Sequence, residues 1–383
     1  MLTLVSCDNY NQNAREDSKN NISESLFEEK NLKINYLKEK KNISSVEFDL
    51  YTNGNIDREK NEIGILDSNK KNILFTIDSD REDRKPGAEG IYYKTDALYV
   101  YNLNQKSFDM IGEFKGYYII QGYLIDKNYI ALGIKLGEGE RDYTIFYGNK
   151  GNLNEIYKGK NIWNYAMYPS LIKTNTGIML LEPQIEKVEN NDKITGVNLF
   201  KLKGGSFQKI NLQIPSGFDI LSTGTISDNG QFVNFWENRK DENAYFFLMD
   251  ENGLKKIIPF PKKYRLINFV LSENKLLAIV QVGEENSHKI LVYDLDRGFI
   301  YSNGFDYVDQ IMCLPSEGKI IIERGGKLSL LEFKNNEMNV ENVKLDEAVE
   351  ILLTSGNRFL KSEESIILTV YSEPERFIML DPK

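Results

Sequence analysis

The chain has 383 residues, with 57 acidic and 48 basic residues, a net charge of −9 at pH 7 and a pI of about 5.1. Hydrophobic residues make up 41% of the sequence, and the mean hydropathy is −0.44. These values are typical of a globular chain. No basic block stands out, so we expect no nucleic-acid partner. No apolar run approaches the length of a membrane-spanning helix.

The chain begins Met-Leu-Thr-Leu-Val-Ser-Cys. Leu4-Val5-Ser6-Cys7 resembles the lipobox of bacterial lipoproteins, in which the cysteine carries the lipid. This resemblance implies lipidation at Cys7 and attachment to the extracytoplasmic face of the cell membrane. Only six residues precede Cys7 and none is basic, which departs from a complete signal. An ordinary N-terminus is the alternative. The abundance of Asn, Lys and Ile suits a Gram-positive bacterium with an AT-rich genome.

Residues 8–42 are rich in Asn, Lys, Glu and Ser. Such a composition buries too little apolar surface to offset the entropy of ordering, so we expect a polar, unstructured tether. The apolar pattern of Leu26–Lys41 is too weak to predict more than a short helix. The predicted organisation is therefore a signal remnant over 1–7, a tether over 8–42 and a folded domain over 43–383.

The stretch Thr225–Asp250 defines a repeating unit in the folded domain. Its turn, Ser227-Asp228-Asn229-Gly230, precedes the apolar run Phe232–Trp236, a charged loop and a second apolar run, Ala244–Met249. Asp, Asn and Gly are typical turn residues, and the runs favour buried strands. The turn and strand resemble the repeat of TolB-like and WD40-like β-propellers.

The second apolar run recurs along the chain at intervals of 45, 54, 48, 44, 39 and 48 residues. The residues that mark it are Val100, Ile145, Leu199, Phe247, Leu291, Leu330 and Ile378. A period of about 40 to 50 residues is typical of propeller blades. The sequence therefore predicts an all-β, seven-bladed propeller.

The last blade supplies only three apolar runs before the chain stops: Glu350–Thr354, Ser365–Tyr371 and Arg376–Asp381. Ser45–Tyr51 alternates polar and apolar residues and belongs to no other blade. We predict that it forms the outer strand of the seventh blade, because an unpaired edge there would let the ring open.

In propeller families, ligands usually bind where the loops between second and third strands meet the crossings between blades. The resemblance implies such a site here, and the loops expected there include Ser79–Thr95, Glu182–Thr195 and Glu237–Asn243. Five crossings carry an aromatic residue at an equivalent position: Tyr117, Tyr165, Phe218, Tyr264 and Tyr307. They are either packing residues between blades or a ring that stacks on a ligand.

Charged residues flank two of these aromatics, among them Arg265 and Asp309, which we include as candidate ligand-binding residues. His288 is the only histidine and falls in a loop on the same face. One histidine cannot make a typical zinc site, and Cys7 and Cys313 do not suggest a disulfide framework. The sequence predicts no cofactor and no metal, and assigns no catalytic residue.

Two functions remain open. The first is a non-catalytic, membrane-anchored, monomeric propeller that binds a protein, peptide or glycan at its loop-rich face. The second is a propeller hydrolase or lyase of the lactonase or glycosidase kind, which would use acidic residues at the channel mouth. Acidic residues are too common in these loops to select a catalytic pair.

Overall fold

The computed structural model describes residues 28–38, 41–83, 91–137, 142–160, 169–188, 191–212, 217–227, 230–250, 252–272, 274–282, 288–305, 308, 310–313, 319–324, 327–334, 337–345, 358–361, 366–370 and 376–381. Cys7, Tyr165, Tyr307, Asp309 and the run Glu350–Thr354 lie outside these residues. No helix within these ranges is long and apolar enough to span a bilayer.

The N-terminal part of the described chain contains four short strands and a helix. They are β1 (Glu28–Asn31), β2 (Lys33–Tyr36), β3 (Lys41–Asn42), β4 (Ser44–Phe48) and α1 (Leu50–Gly54).

Seven antiparallel sheets follow, one for each blade. Blade 1 contains β5 (Asn61–Ser68), β6 (Asn72–Asp80), β7 (Tyr93–Asn102) and β8 (Ser107–Glu113). Blade 2 contains β9 (Tyr117–Ile125), β10 (Asn128–Lys135), β11 (Asp142–Asn149) and β12 (Asn152–Lys160). Blade 3 contains β13 (Ser170–Thr174), β14 (Gly177–Val188), β15 (Asn191–Lys203) and β16 (Ser206–Ile210). Blade 4 contains β17 (Phe218–Ile226), β18 (Phe232–Asn238), β19 (Ala244–Asp250) and β20 (Gly253–Pro259).

The remaining three blades complete the ring. Blade 5 contains β21 (Tyr264–Ser272), β22 (Lys275–Val282), β23 (His288–Asp294) and β24 (Phe299–Phe305). Blade 6 contains β25 (Gln310–Cys313), β26 (Lys319–Arg324), β27 (Lys327–Lys334) and β28 (Glu337–Lys344). Blade 7 contains β29 (Arg358–Lys361), β30 (Ile366–Val370), β31 (Arg376–Asp381) and β4. The prediction of an all-β, seven-bladed propeller is confirmed.

The hydrophobic core is divided among the seams between neighbouring blades. Among the described residues, seven clusters of buried side chains occur, and each joins one face of a blade to the facing side of the next. Because the strands are covered on both faces, their sequences are continuous apolar runs and not simple alternations. This is why the repeating unit was visible in the sequence.

The ring is closed by β4, as predicted. Val46 pairs with Met379 and Phe48 with Phe377 in an antiparallel register. The predicted strand ran to Tyr51, but the structure ends it at Phe48. Asp49 then caps helix α1, and its side chain accepts a hydrogen bond from the backbone N–H of Thr52. An aspartate favours this position because it satisfies an otherwise unpaired N–H group.

The structure differs from the predicted tether over residues 28–42. β1 pairs in parallel with β24 of blade 5, and β2 and β3 pair in parallel with β28 of blade 6. We call residues 28–48 the N-terminal strap, because it covers the outer edges of blades 5 and 6 and then enters blade 7. The short helix considered within Leu26–Lys41 is replaced by extended strands. Residues 8–27 lie outside the described part of the chain.

A second difference concerns the loop predicted at Glu182–Thr195. β14 and β15 run through most of this stretch and form a long hairpin, with Val188 paired to Asn191. In blade 1, likewise, β6 extends to Asp80 and β7 begins at Tyr93, so the ends of the predicted loop Ser79–Thr95 are strand.

Candidate functional site at the channel mouth

The candidate site lies at one end of the central channel. First strands of neighbouring blades contact one another, as β5 does with β9 and β17 with β21, so these strands surround the axis. In blade 5, Tyr264 at the start of β21 pairs with Val282, and Gln281 pairs with His288 at the start of β23. First-strand starts and second-to-third loops therefore share one end, which we call the channel mouth.

Three of the five predicted aromatics begin the first strand of a blade: Tyr117 in β9, Phe218 in β17 and Tyr264 in β21. Phe218 and Tyr264 are each only 7% exposed. Both belong to the hydrophobic clusters between blades. Their burial favours the packing interpretation for these two residues.

Tyr117 is the one described member of this set that is half-buried. Its ring meets Phe146 edge-to-face at 5.0 Å, and its hydroxyl donates to Glu155 Oε1 at 3.3 Å. The side-chain hydrogen bond from Lys158 lowers the pKa of Glu155, with a further contribution from Tyr117. Tyr117 thus combines packing with a polar contact near the surface.

Basic residues surround Tyr264. Lys263 and Arg265 are exposed, and the Lys263 ammonium lies 4.9 Å from the centre of the Tyr264 ring. Lys289 approaches the same ring at 5.7 Å. The tyrosine is therefore buried in the seam with two lysine ammonium groups near its ring, whereas Arg265 is exposed beside it in the sequence.

His288 holds two blades together. It is buried, and its Nδ1 accepts a hydrogen bond from the backbone N–H of Val308, at the beginning of blade 6, at 3.1 Å. Thr95 occupies a similar place in blade 1, where its Oγ1 accepts from the N–H of Ile119 in blade 2 at 2.8 Å. The hydrogen bond between His288 and Val308 thus connects blade 5 to blade 6.

Asp78 is a buried carboxyl group close to the mouth, near the end of β6. Thr95 Oγ1 donates to its Oδ1 at 2.6 Å, and Thr76 Oγ1 lies 2.8 Å from its Oδ2. Burial raises the pKa of Asp78 to about 7 despite these hydrogen bonds, and the nearby charge of Glu62 raises it further. The pKa of Tyr93 is also raised, chiefly by the charge of Glu62.

The sequence did not identify a set of bulged apolar residues on the first strands. The register between first and second strands skips Ile120 in β9, Leu221 in β17 and Ile267 in β21. Each is the fourth residue of its strand. A bulge re-aims a side chain away from the regular pleat. Leu221 and Ile267 are 40% and 47% exposed, although both are large apolar residues.

A signal for these bulges was present in the sequence. In each of the three strands the third and fourth residues are both apolar, as in Ile119-Ile120 and Leu266-Ile267. Two adjacent apolar residues cannot both face one side of a regular strand. Among the described residues, no group of three or more His, Cys, Asp or Glu side chains is arranged to hold a metal ion.

No protein-family model matches this sequence, and no curated protein matches it either. Among solved structures, prolyl oligopeptidase B from Galerina marginata is similar over 84% of this chain and 48% of its own, with 10% identity and a TM-score of 0.52. A prolyl endopeptidase structure matches over 84% and 47%, with 11% identity and a TM-score of 0.50.

An oligogalacturonate lyase in complex with manganese matches over 90% of this chain and 97% of its own, with 11% identity and a TM-score of 0.49. The chain spans about half the length of the two peptidases. At such low identities the similarities to the two peptidases show the fold alone.

Proposed function

We propose that this protein is a non-catalytic binding propeller whose channel mouth holds a peptide segment of a partner protein. The observation that carries this proposal is the exposure of Leu221 and Ile267 on the bulges of adjacent channel strands. A ligand that covers such side chains gains about 25 cal/mol for each Å² of apolar surface removed from water. Exposed apolar groups often mark interaction sites where they adjoin one another, and the strands that carry these two residues are in contact.

The polar neighbours of these residues favour a peptide over a purely apolar ligand. Arg265 precedes Ile267 by two residues, and Asp219 precedes Leu221 by the same spacing. Each exposed apolar residue therefore has a charged residue two positions before it on the same channel strand. Asp219 is paired with Arg239 at 2.8 Å, whereas Arg265 is exposed. This mixture suits a segment with apolar and acidic side chains.

The test is selection from a random peptide library displayed on phage, using the immobilised propeller as bait. Selected peptides are then titrated against wild type, Ile267→Asp and Leu221→Asp. Met110→Asp is the matched control, because Met110 is 46% exposed but lies on the outer strand β8. We expect at least tenfold weaker binding for the two mouth variants only. No enriched peptide, or equal binding by all four proteins, would refute the proposal.

Membrane anchoring is a second part of the proposal and rests on the resemblance of Leu4–Cys7 to a lipobox. Lipidation of Cys7 would hold the propeller at the extracytoplasmic face of the membrane. Cells that express the complete gene and are fed a labelled fatty acid should incorporate label into the wild type. The Cys7→Ala variant should remain unlabelled, and equal labelling of both would contradict the anchor.

Asp78 supports the alternative of a hydrolase or lyase. A carboxyl group whose pKa is raised to about 7 is suited to act as a general acid near neutral pH. The charge of Glu62 raises the pKa of both Asp78 and Tyr93, so the three side chains lie close to one another. Screening of lactones, aryl glycosides and polyuronates would test it. Turnover that disappears in Asp78→Asn would favour the enzyme over the binding propeller.

A further inference from the structure

A cleft rich in lysine lies at the end of the propeller opposite the channel mouth. It has a volume of about 340 Å³ and is lined by Lys201, Lys203, Gln208, Lys209, Ile210, Asn211 and Asn252. The first six residues belong to β15, β16 and the segment after them, and Asn252 belongs to the β19–β20 turn of blade 4. We call this the basic cleft.

The basic cleft lies at the end of the seam between blades 3 and 4, where lysines follow the apolar residues of the seam. Leu199 pairs with Ile210, and Leu199 is part of the buried cluster of that seam. Lys201 and Lys203 follow at alternate positions of β15, so they continue the same face past the end of the core. Lys201 pairs with Gln208, which places the amide on that face as well. The strand geometry therefore brings the two lysines and this amide together.

The charge of the cleft contrasts with that of the chain. The chain carries a net charge of −9, yet no carboxylate is among the described residues that line the cleft. Other lysines pair with acids, as Lys150 does with Asp109 at 2.5 Å and Lys255 with Asp250 at 3.2 Å. Lys203 and Lys209 form no such pair with a carboxylate in the described residues. Neighbouring ammonium groups raise the local potential and favour a bound anion.

We propose that the basic cleft binds a small ligand bearing phosphate groups. Lysine ammonium groups neutralise the charge of a phosphate, and the amides of Gln208, Asn211 and Asn252 can donate hydrogen bonds to its remaining oxygens. The volume is at the lower end of the range of small-molecule sites, about 300 to 1,000 Å³, and fits a compact ligand of one or two phosphate groups. This site is separate from the channel mouth, so it does not depend on the proposed peptide binding.

Isothermal titration of the full chain with inorganic pyrophosphate, at low ionic strength, tests this proposal. The cleft variant is Lys201→Gln/Lys203→Gln, which keeps the length of the side chains and removes two charges. The control is Lys127→Gln, an exposed lysine in the β9–β10 turn at the same end of the propeller. Equal melting temperatures for the three proteins show that the substitutions leave the fold intact.

We expect saturable binding by wild type and by Lys127→Gln, and at least tenfold weaker binding by the cleft variant. Titration with inorganic phosphate then distinguishes a single-phosphate ligand from one with two phosphate groups. Absence of saturable binding by wild type overturns the proposal. An equal loss in the Lys127→Gln control also overturns it, because that result would indicate general charge attraction without a site.

Discussion

The contribution of the N-terminal strap to stability can be tested quantitatively at Leu32. This residue joins β1 to β2, is 3% exposed and belongs to the cluster between blades 5 and 6, with Tyr301 and Met338 among its members. Its backbone N–H donates to Ser302 O at 2.9 Å, which fixes its position on blade 5. Leu32→Ala should lower the free energy of unfolding by about 2 to 5 kcal/mol, through lost burial and the cavity left behind.

Tyr36→Ala is the matched control, because Tyr36 lies on β2 but is 61% exposed. A surface substitution of this kind should change the free energy of unfolding by no more than about 0.5 kcal/mol. A chain that begins at residue 43 loses β1, β2 and β3 together, along with Leu32. It should therefore be less stable than Leu32→Ala, when both are compared with a chain that begins at residue 28.

Urea unfolding followed by tryptophan fluorescence, with a fitted slope for each protein, provides the measurement. Limited proteolysis adds a readout of local opening at blades 5 and 6. A chain from residue 43 that unfolds at the same urea concentration as the chain from residue 28 would refute the structural role of the strap. So would equal losses in Leu32→Ala and Tyr36→Ala.

Three further predictions concern polar groups in the seams. His288→Ala removes the acceptor of the Val308 N–H and should lower the free energy of unfolding by about 1 to 3 kcal/mol. An unchanged melting temperature would contradict a stabilising hydrogen bond between blades 5 and 6. The Lys173 ammonium lies 3.7 Å from the buried carboxylate of Asp67, and Lys173→Met leaves that carboxylate without its cation. The free energy of unfolding in urea should fall by about 3 to 5 kcal/mol, and an unchanged value would refute the pairing. Because the pKa of Asp78 is raised to about 7, the folded state keeps a proton that the unfolded state loses near pH 4. Wild-type stability should therefore fall relative to Asp78→Asn by up to about 1.4 kcal/mol per pH unit between these values, and parallel pH profiles would contradict the raised pKa.

The number of blades could be predicted because the buried third strands repeat in the sequence. Val100 and Ile378 lie in the third strands of blades 1 and 7, and the strands between them follow the same order. A strand covered on both faces must be apolar along most of its length, so each blade leaves a visible run. Closure by Ser44–Phe48 was predictable for the same reason, since the last blade was short of one strand.

The strap was missed because composition and periodicity disagree there. Polar residues dominate the segment, which predicted disorder, but Leu32, Ile34 and Tyr36 alternate with polar residues as in a strand. Nothing in the sequence identifies the outer edges of blades 5 and 6 as their partners. Parallel pairing over such a separation in sequence depends on the completed ring, so only the three-dimensional arrangement reveals it.

The candidate sites were predicted less well than the fold, for a geometrical reason. Tyr264 and Phe218 begin first strands at the mouth, but whether a ring faces solvent or a seam depends on the neighbouring blade. The bulges at Leu221 and Ile267 depend on register, and the basic cleft combines residues from two blades. Each of these features arises between elements and leaves only an indirect trace in the sequence.

The strap changes how closure of the ring should be understood. With β4 alone, the seventh blade would depend on one short strand to protect the edge of β31. The strap continues that segment across the outer edges of blades 6 and 5, where β3, β2 and β1 each pair with a fourth strand. Detaching β4 therefore leaves the same segment held at two neighbouring blades, which keeps it close to its place in blade 7. Because the strap holds β4 close to β31, less conformational entropy is lost when these two strands pair again. The strap therefore favours reclosure of the ring.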